Sequence, residues 1–336
     1  MPKKHSWFRN GLIISHIITA LLGFFIFIVN YQISQNLLIQ NTLNRQLTLA
    51  KSGSLSAENL LKSVQSDLAS FIFTFAKIPD YSPIDKDATR LAFIAYIQKS
   101  ELPTTGIALY DDTGKLSIIE NRYDIRTGEG MDFSKTELIL WAKNPLNKGK
   151  TFISSPYIAT TGGSVGKIIM VIAEPLYFGN TYKGTLAIRL LVNDFRNAYI
   201  SPLISGQDDS SFIINTNGIV LAGADKLVGQ NIFNYAQTQK WNDYPTFTKS
   251  LQTALKQNNT QTTWTFQYPN EKAKDFIVGI SKIDLPNTDK DLYLVVLRSK
   301  DTTISPLKPI LGYGLVWVGL GLLTTIIGSI AVMLLP

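Results

Sequence analysis

The chain has 336 residues but no cysteine, and its only two histidines, His5 and His16, lie near the N-terminus. Without cysteine it cannot form disulfide bonds, thiolate nucleophiles or the usual structural zinc sites. Without a histidine in the remaining sequence, a Ser-His-Asp triad is excluded there. No pair of carboxylates stands at a spacing typical of acid–base catalysis. We therefore expect no enzyme activity, no catalytic residues, no metal site and no cofactor.

The chain also lacks any long run of basic side chains. Its formal charge is +7, but its 32 basic residues are scattered among 25 acidic ones. Proteins that bind nucleic acids usually collect their basic side chains in one segment or on one face. The sequence therefore predicts no nucleic-acid partner.

Formal charge is absent from Gly11–Val29, a run of 19 residues that follows three basic side chains. About 20 apolar residues in a helix span the hydrocarbon core of a bilayer, roughly 30 Å thick. The basic side chains place the N-terminus in the cytoplasm by the positive-inside rule. A cleaved signal peptide is the alternative, although its apolar region is usually only about 7–15 residues long. We expect His16, inside this run, to pack or to form a hydrogen bond between helices.

A second uncharged run, Ile310–Leu335, contains 26 residues. Nothing between the two runs approaches the roughly 18 apolar residues of a further span. The sequence therefore predicts a two-pass protein of the cytoplasmic (inner) membrane, with residues 31–308 on the extracytoplasmic side. The glycines of the second run favour close approach of another helix, and we expect a homodimer. Pro306 and Pro309 predict a bend before this span.

The segment after the first span, residues 33–80, carries apolar residues at three- and four-residue spacings and predicts a long amphipathic helix. Gly53, with a serine on each side, predicts a kink or a break in it. Pro79 and Pro83 predict its end. The helix either carries movement through the membrane or serves as a plain spacer.

Beyond this helix, a pattern of strand, turn and strand occurs twice. Gly106–Leu116 reads GIALYDDTGKL, and Ser211–Leu221 reads SFIINTNGIVL. The motifs N-T-Y-K and N-T-D-K repeat at nearly the same offset, each before a strand. Two matches at one offset predict two related α/β modules in tandem. The adjacent Asp111 and Asp112 fit a tight turn, because a calcium-binding EF-hand needs acids at alternating positions and a closing glutamate.

These segments, in this order, resemble the double Cache sensor domain of bacterial chemoreceptors, histidine kinases and diguanylate cyclases. Its most telling pieces are GIALYDDTGKL, FISSPYIATTGGSVGKIIMVIAEPLY at Phe152–Tyr177, YKGTLAIRLLVNDF at Tyr182–Phe195 and SFIINTNGIVLAGADKLVGQNIF at Ser211–Phe233. The resemblance implies an α+β fold in which a long N-terminal helix is followed by two PAS-like modules with antiparallel sheets, flanked by two transmembrane helices.

The predicted segments follow from this resemblance and from the apolar runs. They are a cytoplasmic tip (1–10), the first transmembrane helix (11–32), the long stalk helix (33–80), a membrane-distal ligand-binding module (81–200), a membrane-proximal module (201–305) and the second transmembrane helix (309–335). We expect the boundary between the modules near Tyr199–Asp209.

In such receptors the ligand pocket lies in the distal module, between the helix after the second strand and the strands that follow. The resemblance therefore implies that a small molecule binds at Trp141, Ser155, Tyr157, Ala173, Glu174 and Arg189. For the aromatic residues of this set, ordinary core packing is the alternative.

The chain departs from the amino-acid-binding members of this family at two places. Their R-x-W-Y helix pattern is missing, since Phe133–Asn144 reads FSKTELILWAKN. Arg189 also stands where those receptors carry the aspartate that holds the ligand amine. If Arg189 points inward, it repels an ammonium group and favours a carboxylate, so an anionic organic acid is the expected ligand. It may equally point outward or pair with Glu174.

The function that this pattern favours is a membrane-anchored extracytoplasmic sensor of a small molecule, which passes a conformational change through the membrane. We expect a cytoplasmic signalling domain or partner that this chain lacks. The alternative is a membrane-tethered structural or assembly protein that uses a sensor-like fold for contacts with other proteins. A pocket in the distal module favours the first, and a filled core with an exposed apolar patch favours the second.

Overall fold

A computed structural model describes residues 3–76, 86–100, 104–204, 210–238, 244–257, 259–266 and 274–334. The helices are α1 Lys3–Ala76, α2 Lys86–Lys99, α3 Glu137–Lys143, α4 Val192–Phe195, α5 Ile232–Thr238, α6 Tyr244–Lys256, α7 Lys300–Ile304 and α8 Lys308–Leu334. The strands are β1 Thr104–Asp111, β2 Leu116–Asn121, β3 Phe152–Ile153, β4 Tyr157–Ile158, β5 Ile168–Phe178, β6 Thr181–Leu191, β7 Ser210–Asn215, β8 Val220–Ala222, β9 Asn259–Phe266, β10 Lys274–Ile283 and β11 Leu292–Ser299.

The chain divides into two compact units. One comprises Met1–Asn44 together with Ser299–Pro336, and the other is Arg45–Arg298. The first contains the two apolar runs, and the second contains the strands up to Arg298 and the C-terminal part of α1.

Two helices are long and apolar enough to cross a membrane, in Ile14–Phe75 and Lys300–Gly328, and their apolar runs lie in the first unit. The most apolar window of each helix has no buried residues, which argues against the buried core helix of a soluble protein. Gly314 lies against the ring of Phe27 with no room for a Cβ atom. A glycine of the second apolar run therefore lets these two helices pack closely.

The predicted bend before the second apolar run falls in a helical segment with an irregular turn. A 3-10 turn, Ser305–Leu307, separates α7 from α8 and contains Pro306. Pro309 is the second residue of α8, where a missing backbone N–H costs no intrahelical hydrogen bond. A 3-10 turn at Pro306 thus interrupts the α-helix, whereas Pro309 lies inside α8, and the bend itself stays a prediction.

The prediction of a break at Gly53 was wrong, because α1 continues from Lys3 to Ala76. A Cβ atom at position 53 would lie 2.5 Å from side-chain atoms of both Leu203 and Leu294. The hydroxyl of Ser54 lies 2.7 Å from that of Ser281. Packing on the proximal module thus outweighs the roughly 1 kcal/mol that a glycine costs a helix. The predicted helix end at Pro79 and Pro83 lies outside the described residues.

The second unit contains two antiparallel sheets. The distal sheet has the order β2-β1-β6-β5-β3, with β4 also paired to β5, and the proximal sheet has the order β8-β7-β11-β10-β9. The two repeated turns join β1 to β2 and β7 to β8, as predicted for hairpins. Asp111 shapes the first turn, where its carboxylate accepts hydrogen bonds from the backbone N–H groups of Thr113, Gly114 and Lys115. The predicted α+β architecture with two antiparallel modules is confirmed, and the residue bounds of the domains remain a prediction.

Alternation along the strands gives each sheet two different faces. One face of both sheets packs on α1 in a single core that includes Leu61 and Leu68 of the helix. The opposite face of the proximal sheet is covered by α5 and α6. The opposite face of the distal sheet is covered in part by α3, through Ile139. We call this last surface the outer face of the distal sheet, and it carries the candidate site.

Candidate ligand-binding site

Arg189 lies in the middle of the outer face. It is on β6, where its cross-strand partners are Gly106 of β1 and Val171 of β5. Ala187 and Leu191, two residues before and after Arg189 on the strand, lie on the same face of the sheet. Both belong to the buried apolar cluster of the outer face. Only 3% of Arg189 is exposed. Of the three orientations that the sequence left open, the structure has the inward one.

The Arg189 guanidinium has only neutral partners within the described ranges. Its Nη1 donates to the carbonyl oxygen of Thr161 at 2.9 Å, and its Nη2 donates to the Thr161 hydroxyl at 2.9 Å. Its Nε is buried and has no hydrogen-bond partner. A buried cation without a counter-charge is costly. The site therefore holds a positive charge, and the Nε–H group of Arg189 is free to donate a hydrogen bond to an anion.

Thr161 belongs to residues 154–166, which run across the outer face and which we call the cover segment. Gly162 has φ +70°, and an added Cβ would lie 2.7 Å from Ile119 and 3.2 Å from Nη1 of Arg189. Its backbone N–H donates to the carbonyl oxygen of Thr127 at 2.9 Å. Glycine is needed here for both the backbone conformation and the close approach to the guanidinium.

Beside Arg189, a row of small side chains crosses the sheet. Ala108 of β1 pairs with Ala187 of β6, which pairs with Ala173 of β5. The row ends at Ile119 of β2 on one side and at Phe152 of β3 on the other. Each alanine has only a methyl group, so the side chains of the sheet are smallest next to the guanidinium. All three alanines are fully buried.

Tyr157, on the short strand β4 of the cover segment, contributes a second polar group. Its cross-strand partner is Ile169. Although 44% of the residue is exposed, burial of the surroundings of its hydroxyl raises the pKa to about 12, Tyr110 raises it as well, and Arg189 lowers it. The hydroxyl stays protonated at neutral pH and can donate a hydrogen bond.

The remaining predicted residues occupy different places. Trp141 of α3 packs against Phe152, with ring centroids 5.3 Å apart, and so borders the alanine row from the side. Ser155 is half-buried in the cover segment. Ala173 is a member of the alanine row.

Glu174 lies on the other face of the sheet. Its cross-strand partner is Leu186, a residue of the core around α1, and its Oε1 accepts a hydrogen bond from the Thr151 hydroxyl at 2.9 Å. Burial raises the pKa of the Glu174 carboxyl, and the Thr151 hydrogen bond offsets part of this shift. Glu174 therefore does not pair with Arg189. The structure places Arg189 and Ala173 on the outer face and Tyr157 in the cover segment beside it, whereas Glu174 lies on the other face.

No family model matches the chain, and no curated protein matches it. Solved structures do. The periplasmic sensory domain of the Campylobacter jejuni chemoreceptor Tlp1 is 12% identical with a TM-score of 0.63, covering 81% of this chain and 99% of that chain. The ligand-binding domain of the Pseudomonas fluorescens chemoreceptor CtaA, in complex with L-isoleucine, is 16% identical with a TM-score of 0.58, covering 82% of this chain and 99% of that chain.

A third structure is the ligand-binding domain of the Pseudomonas aeruginosa PAO1 amino acid chemoreceptor PctB in complex with L-Arg. It is 14% identical with a TM-score of 0.55, covering 78% of this chain and 97% of that chain. The chain therefore has the double Cache fold, which it shares with these ligand-binding domains. At these identities the likeness concerns the fold, and the ligand has to be argued from the residues of the site.

Within this double Cache fold, the sequence missed the residues that hold Arg189. Thr161 and Gly162 lie in a segment that the resemblance singled out, yet nothing in the sequence indicated that they reach across to β6. The glycine pair Gly162–Gly163 was the available signal, because consecutive glycines mark close backbone approach.

The same segment, Gly162–Gly166, also has the letter pattern G-x-S-x-G. A nucleophile elbow requires a turn from a strand into a helix. Here Gly162–Ser164 forms a 3-10 turn between β4 and β5, and Ser164 is only 2% exposed. The segment therefore matches the motif in its sequence but does not have the geometry of a nucleophile elbow.

A cavity of about 550 Å³ lies on the α2 side of the distal sheet, lined by Ile94, Ile97, Glu120 and Arg126 among others. In this lining, Glu120 pairs with Arg90 and Arg126, and Asp124 pairs with Arg126. Within the described residues, no group of three or more His, Cys, Asp or Glu side chains is placed to hold a metal ion.

Proposed function

We propose that this chain is the extracytoplasmic ligand-binding part of a membrane-anchored sensor, and that its distal module binds a small carboxylate through Arg189. The observation that carries the proposal is the buried Arg189 guanidinium, which has Thr161 as its hydrogen-bond partner and a free Nε. The double Cache fold supports the sensing part of the proposal. The side chains around Arg189 support the choice of ligand.

A carboxylate would complete the site chemically. Its two oxygens match the planar fork of a guanidinium, and it would supply both the missing partner of Nε and the missing counter-charge. The Tyr157 hydroxyl would donate to the same ligand, with Ser155 a second candidate donor. Trp141 and Ala173 would provide apolar walls. Glu174 has no place in this pocket.

A zwitterionic amino acid fits the site less well. CtaA and PctB were solved with amino acids bound, but Arg189 stands where the resemblance places the amine-binding aspartate of amino-acid receptors. Among the described residues, no acidic side chain forms an ion pair with Arg189. A ligand ammonium would therefore meet a cation without an acid to balance it. We expect monocarboxylates or dicarboxylates to bind more tightly than amino acids of similar size.

The test is a thermal-shift screen of the full chain in detergent micelles against acetate, propionate, succinate, L-alanine, L-isoleucine and propylamine. A ligand that binds only the folded state stabilises it by about 2.7 kcal/mol at one hundred times its Kd. We expect stabilisation by carboxylates that disappears in Arg189→Met, which replaces a buried ion by an apolar side chain of similar length. The matched control is Arg196→Met, because Arg196 pairs with Asp225 away from the outer face.

Stabilisation by amino acids that persists in Arg189→Met would overturn the carboxylate proposal while leaving a sensor. No response to any of these compounds, together with an exposed apolar surface that captures a protein partner, would favour the structural or assembly function.

For topology, we propose two transmembrane spans, both termini in the cytoplasm and residues 31–308 outside the inner membrane. Since the chain has no cysteine, Lys226→Cys at an exposed position gives a single thiol. It should react with an impermeant maleimide in cells with a permeabilised outer membrane. Labelling only after lysis would contradict this orientation.

We further propose that the sensor acts as a homodimer and passes its change to a cytoplasmic signalling domain or partner. Light scattering of the detergent-solubilised chain, corrected for detergent, should give the mass of two chains. A monomer mass at all concentrations and with saturating carboxylate would rule out the homodimer.

A further inference from the structure

We propose that residues 285–291 of the proximal module, here called the docking loop, hold the edge of the distal sheet and couple the cover segment to β11. That the cover segment responds to a ligand rests on the proposed function, whereas the docking and the coupling do not. The loop follows β10 and leads directly into β11, which begins at Leu292. Its contacts with the distal module involve both backbone and side chains.

The backbone of the docking loop pairs with Thr151, the residue before the edge strand β3. Thr151 and Thr288 form a parallel bridge. The N–H of Thr151 donates to the carbonyl oxygen of Asn287 at 2.8 Å, and the N–H of Asp289 donates to the carbonyl oxygen of Thr151 at 3.2 Å. Asn287 has φ +55°, a conformation that asparagine tolerates better than most residues. The docking loop thus covers an edge of the distal sheet that would otherwise expose unpaired backbone groups.

Two side chains of the loop extend this contact along β3. The Asp289 carboxylate is 11% exposed and accepts a hydrogen bond from the N–H of Ile153 at 3.1 Å. Lys290 lies 3.5 Å from that carboxylate and 3.2 Å from Glu137 of α3. Its Nζ stands 5.1 Å from the ring centroid of Phe152. Since Phe152 ends the alanine row, Lys290 touches a wall of the proposed pocket.

The hydroxyl of Thr151 connects the docking loop to α1 as well. It donates to Glu174 of β5 at 2.9 Å and accepts from Nε2 of Gln65 at 2.9 Å. The same Nε2 atom donates to the carbonyl oxygen of Pro286 at 3.1 Å. The Thr151 N–H, carbonyl and hydroxyl groups are therefore all engaged, and only 2% of the residue is exposed. Helix α1, the distal sheet and the docking loop therefore all contact Thr151.

A continuous chain of contacts leads from this junction to Arg189. The cover segment begins directly after β3 at Ser154, whose N–H donates to the carbonyl oxygen of Val171 at 2.9 Å. Val171 is the cross-strand partner of Arg189, and the cover segment returns to Arg189 through Thr161. A change in the cover segment therefore displaces β3, and β3 is the strand that the docking loop holds. By linkage, loosening the docking loop must in turn loosen the cover segment.

The test uses hydrogen–deuterium exchange of the full chain in detergent micelles, without any ligand. In Asp289→Ala, amides of residues 152–161 should exchange roughly ten-fold faster, the scale expected for losing one charge-assisted hydrogen bond. The matched control is Asp291→Ala on the same loop, because Asp291 pairs with Lys282 within the proximal module. This control should leave residues 152–161 unchanged. Asp289→Asn, which keeps an acceptor for the Ile153 N–H, should restore most of the protection.

Several results would overturn the proposal. These are unchanged exchange at residues 152–161 in Asp289→Ala, an equal effect of Asp291→Ala, no recovery in Asp289→Asn, or a uniform rise that includes the β10 strand. The reciprocal experiment is Arg189→Met, which should raise exchange in the docking loop. Because no ligand is used, a negative carboxylate screen leaves this test intact. A failure here likewise leaves carboxylate binding open.

Discussion

The distal and proximal modules place different side chains at matching positions of their sheets. Ala108 lies three residues before the Asp111 turn and pairs with Ala187, whereas Phe212 lies three residues before the Asn215 turn and pairs with Val295. Gly106 pairs with Arg189, whereas Ser210 pairs with Leu297. In the proximal module, Phe212 and Leu297 are fully buried beneath α5 and α6.

The two modules therefore share one arrangement of strands but carry different side chains on it. Large apolar side chains fill the proximal face, so that close packing stabilises the folded proximal module. In the distal module, small side chains and one buried cation occupy the centre of the outer face, among larger apolar residues such as Phe152 and Ile119. Binding sites often carry such locally unfavourable features, because they are complementary to a ligand and not to the protein core. Four substitutions test this comparison.

The largest effect is expected for Phe212→Ala, which removes a fully buried ring from the proximal core. The loss of apolar contacts and the cavity left behind should lower the free energy of unfolding by about 3–5 kcal/mol. Chemical unfolding of the full chain in micelles measures this value, and Phe212→Leu should recover most of the loss. A cost below about 1 kcal/mol would mean that the proximal face is not the packed core described here.

Ala108→Phe gives the distal face the residue that the proximal face carries. The added ring should overfill the alanine row, cost about 1–3 kcal/mol of unfolding free energy and abolish stabilisation by carboxylates. Thermal shifts with and without propionate measure both effects. Ala108→Ser, which keeps a small side chain, should retain binding. Unchanged binding in the phenylalanine variant would place the ligand elsewhere.

Gly162→Ala should destabilise the chain by about 1–2 kcal/mol, because an alanine in a left-handed conformation is strained, and should also displace Arg189. Gly130→Ala is the control, since Gly130 has φ +84° but nothing within 4 Å of an added Cβ. The Gly130→Ala control should show only the cost of an alanine in the left-handed conformation. Equal effects of the two changes on the melting temperature and on carboxylate binding would show that the contact between Gly162 and Arg189 is unimportant.

The smallest effect is expected for Glu174→Gln and depends on pH. Burial raises the pKa of the Glu174 carboxyl, so the folded chain binds this proton more tightly than the unfolded chain. The contribution of Glu174 to stability is therefore greatest when the pH is below the pKa of an ordinary glutamate. It falls as the pH rises through the raised pKa of the folded chain. Glutamine imitates the protonated form, so the variant should melt slightly higher than the parent at neutral pH.

The advantage of Glu174→Gln should shrink as the pH is lowered through the carboxyl range. Asp194→Asn, at an exposed position, serves as the control and should show little difference at any pH. Melting curves across the pH range measure both. A variant that melts lower than the parent at neutral pH would indicate that the charged carboxylate is favourable at the junction with Thr151.

Much of the fold could be predicted from the sequence because its signals are local. Uncharged runs marked the two apolar helices, and strand–turn–strand patterns marked both hairpins. The inward orientation of Arg189 was not decided, because it depends on the register between β5 and β6. The same register separates Glu174 from Arg189. A sequence pattern gives the alternation within one strand but not how two distant strands align.

Contacts between distant segments were missed for the same reason. Thr161 reaches Arg189 from a loop 28 residues away, and Asp289 reaches Ile153 from 136 residues away. At Gly53 the local rule was overridden by tertiary packing, which depends on Leu203 and Leu294. Sequence therefore indicated which segments form the site, and the structure indicated which side chains meet there.

The most direct test of the central claim observes the free donor of Arg189 itself. In a nitrogen-15 NMR spectrum of arginine Nε–H groups, the signal that disappears in Arg189→Met is assigned to Arg189. On addition of propionate, this signal should move downfield and exchange more slowly with water, while propylamine should leave it unchanged. A signal that propionate does not shift, under conditions where propionate raises the melting temperature, would show that the carboxylate binds elsewhere and would contradict the account.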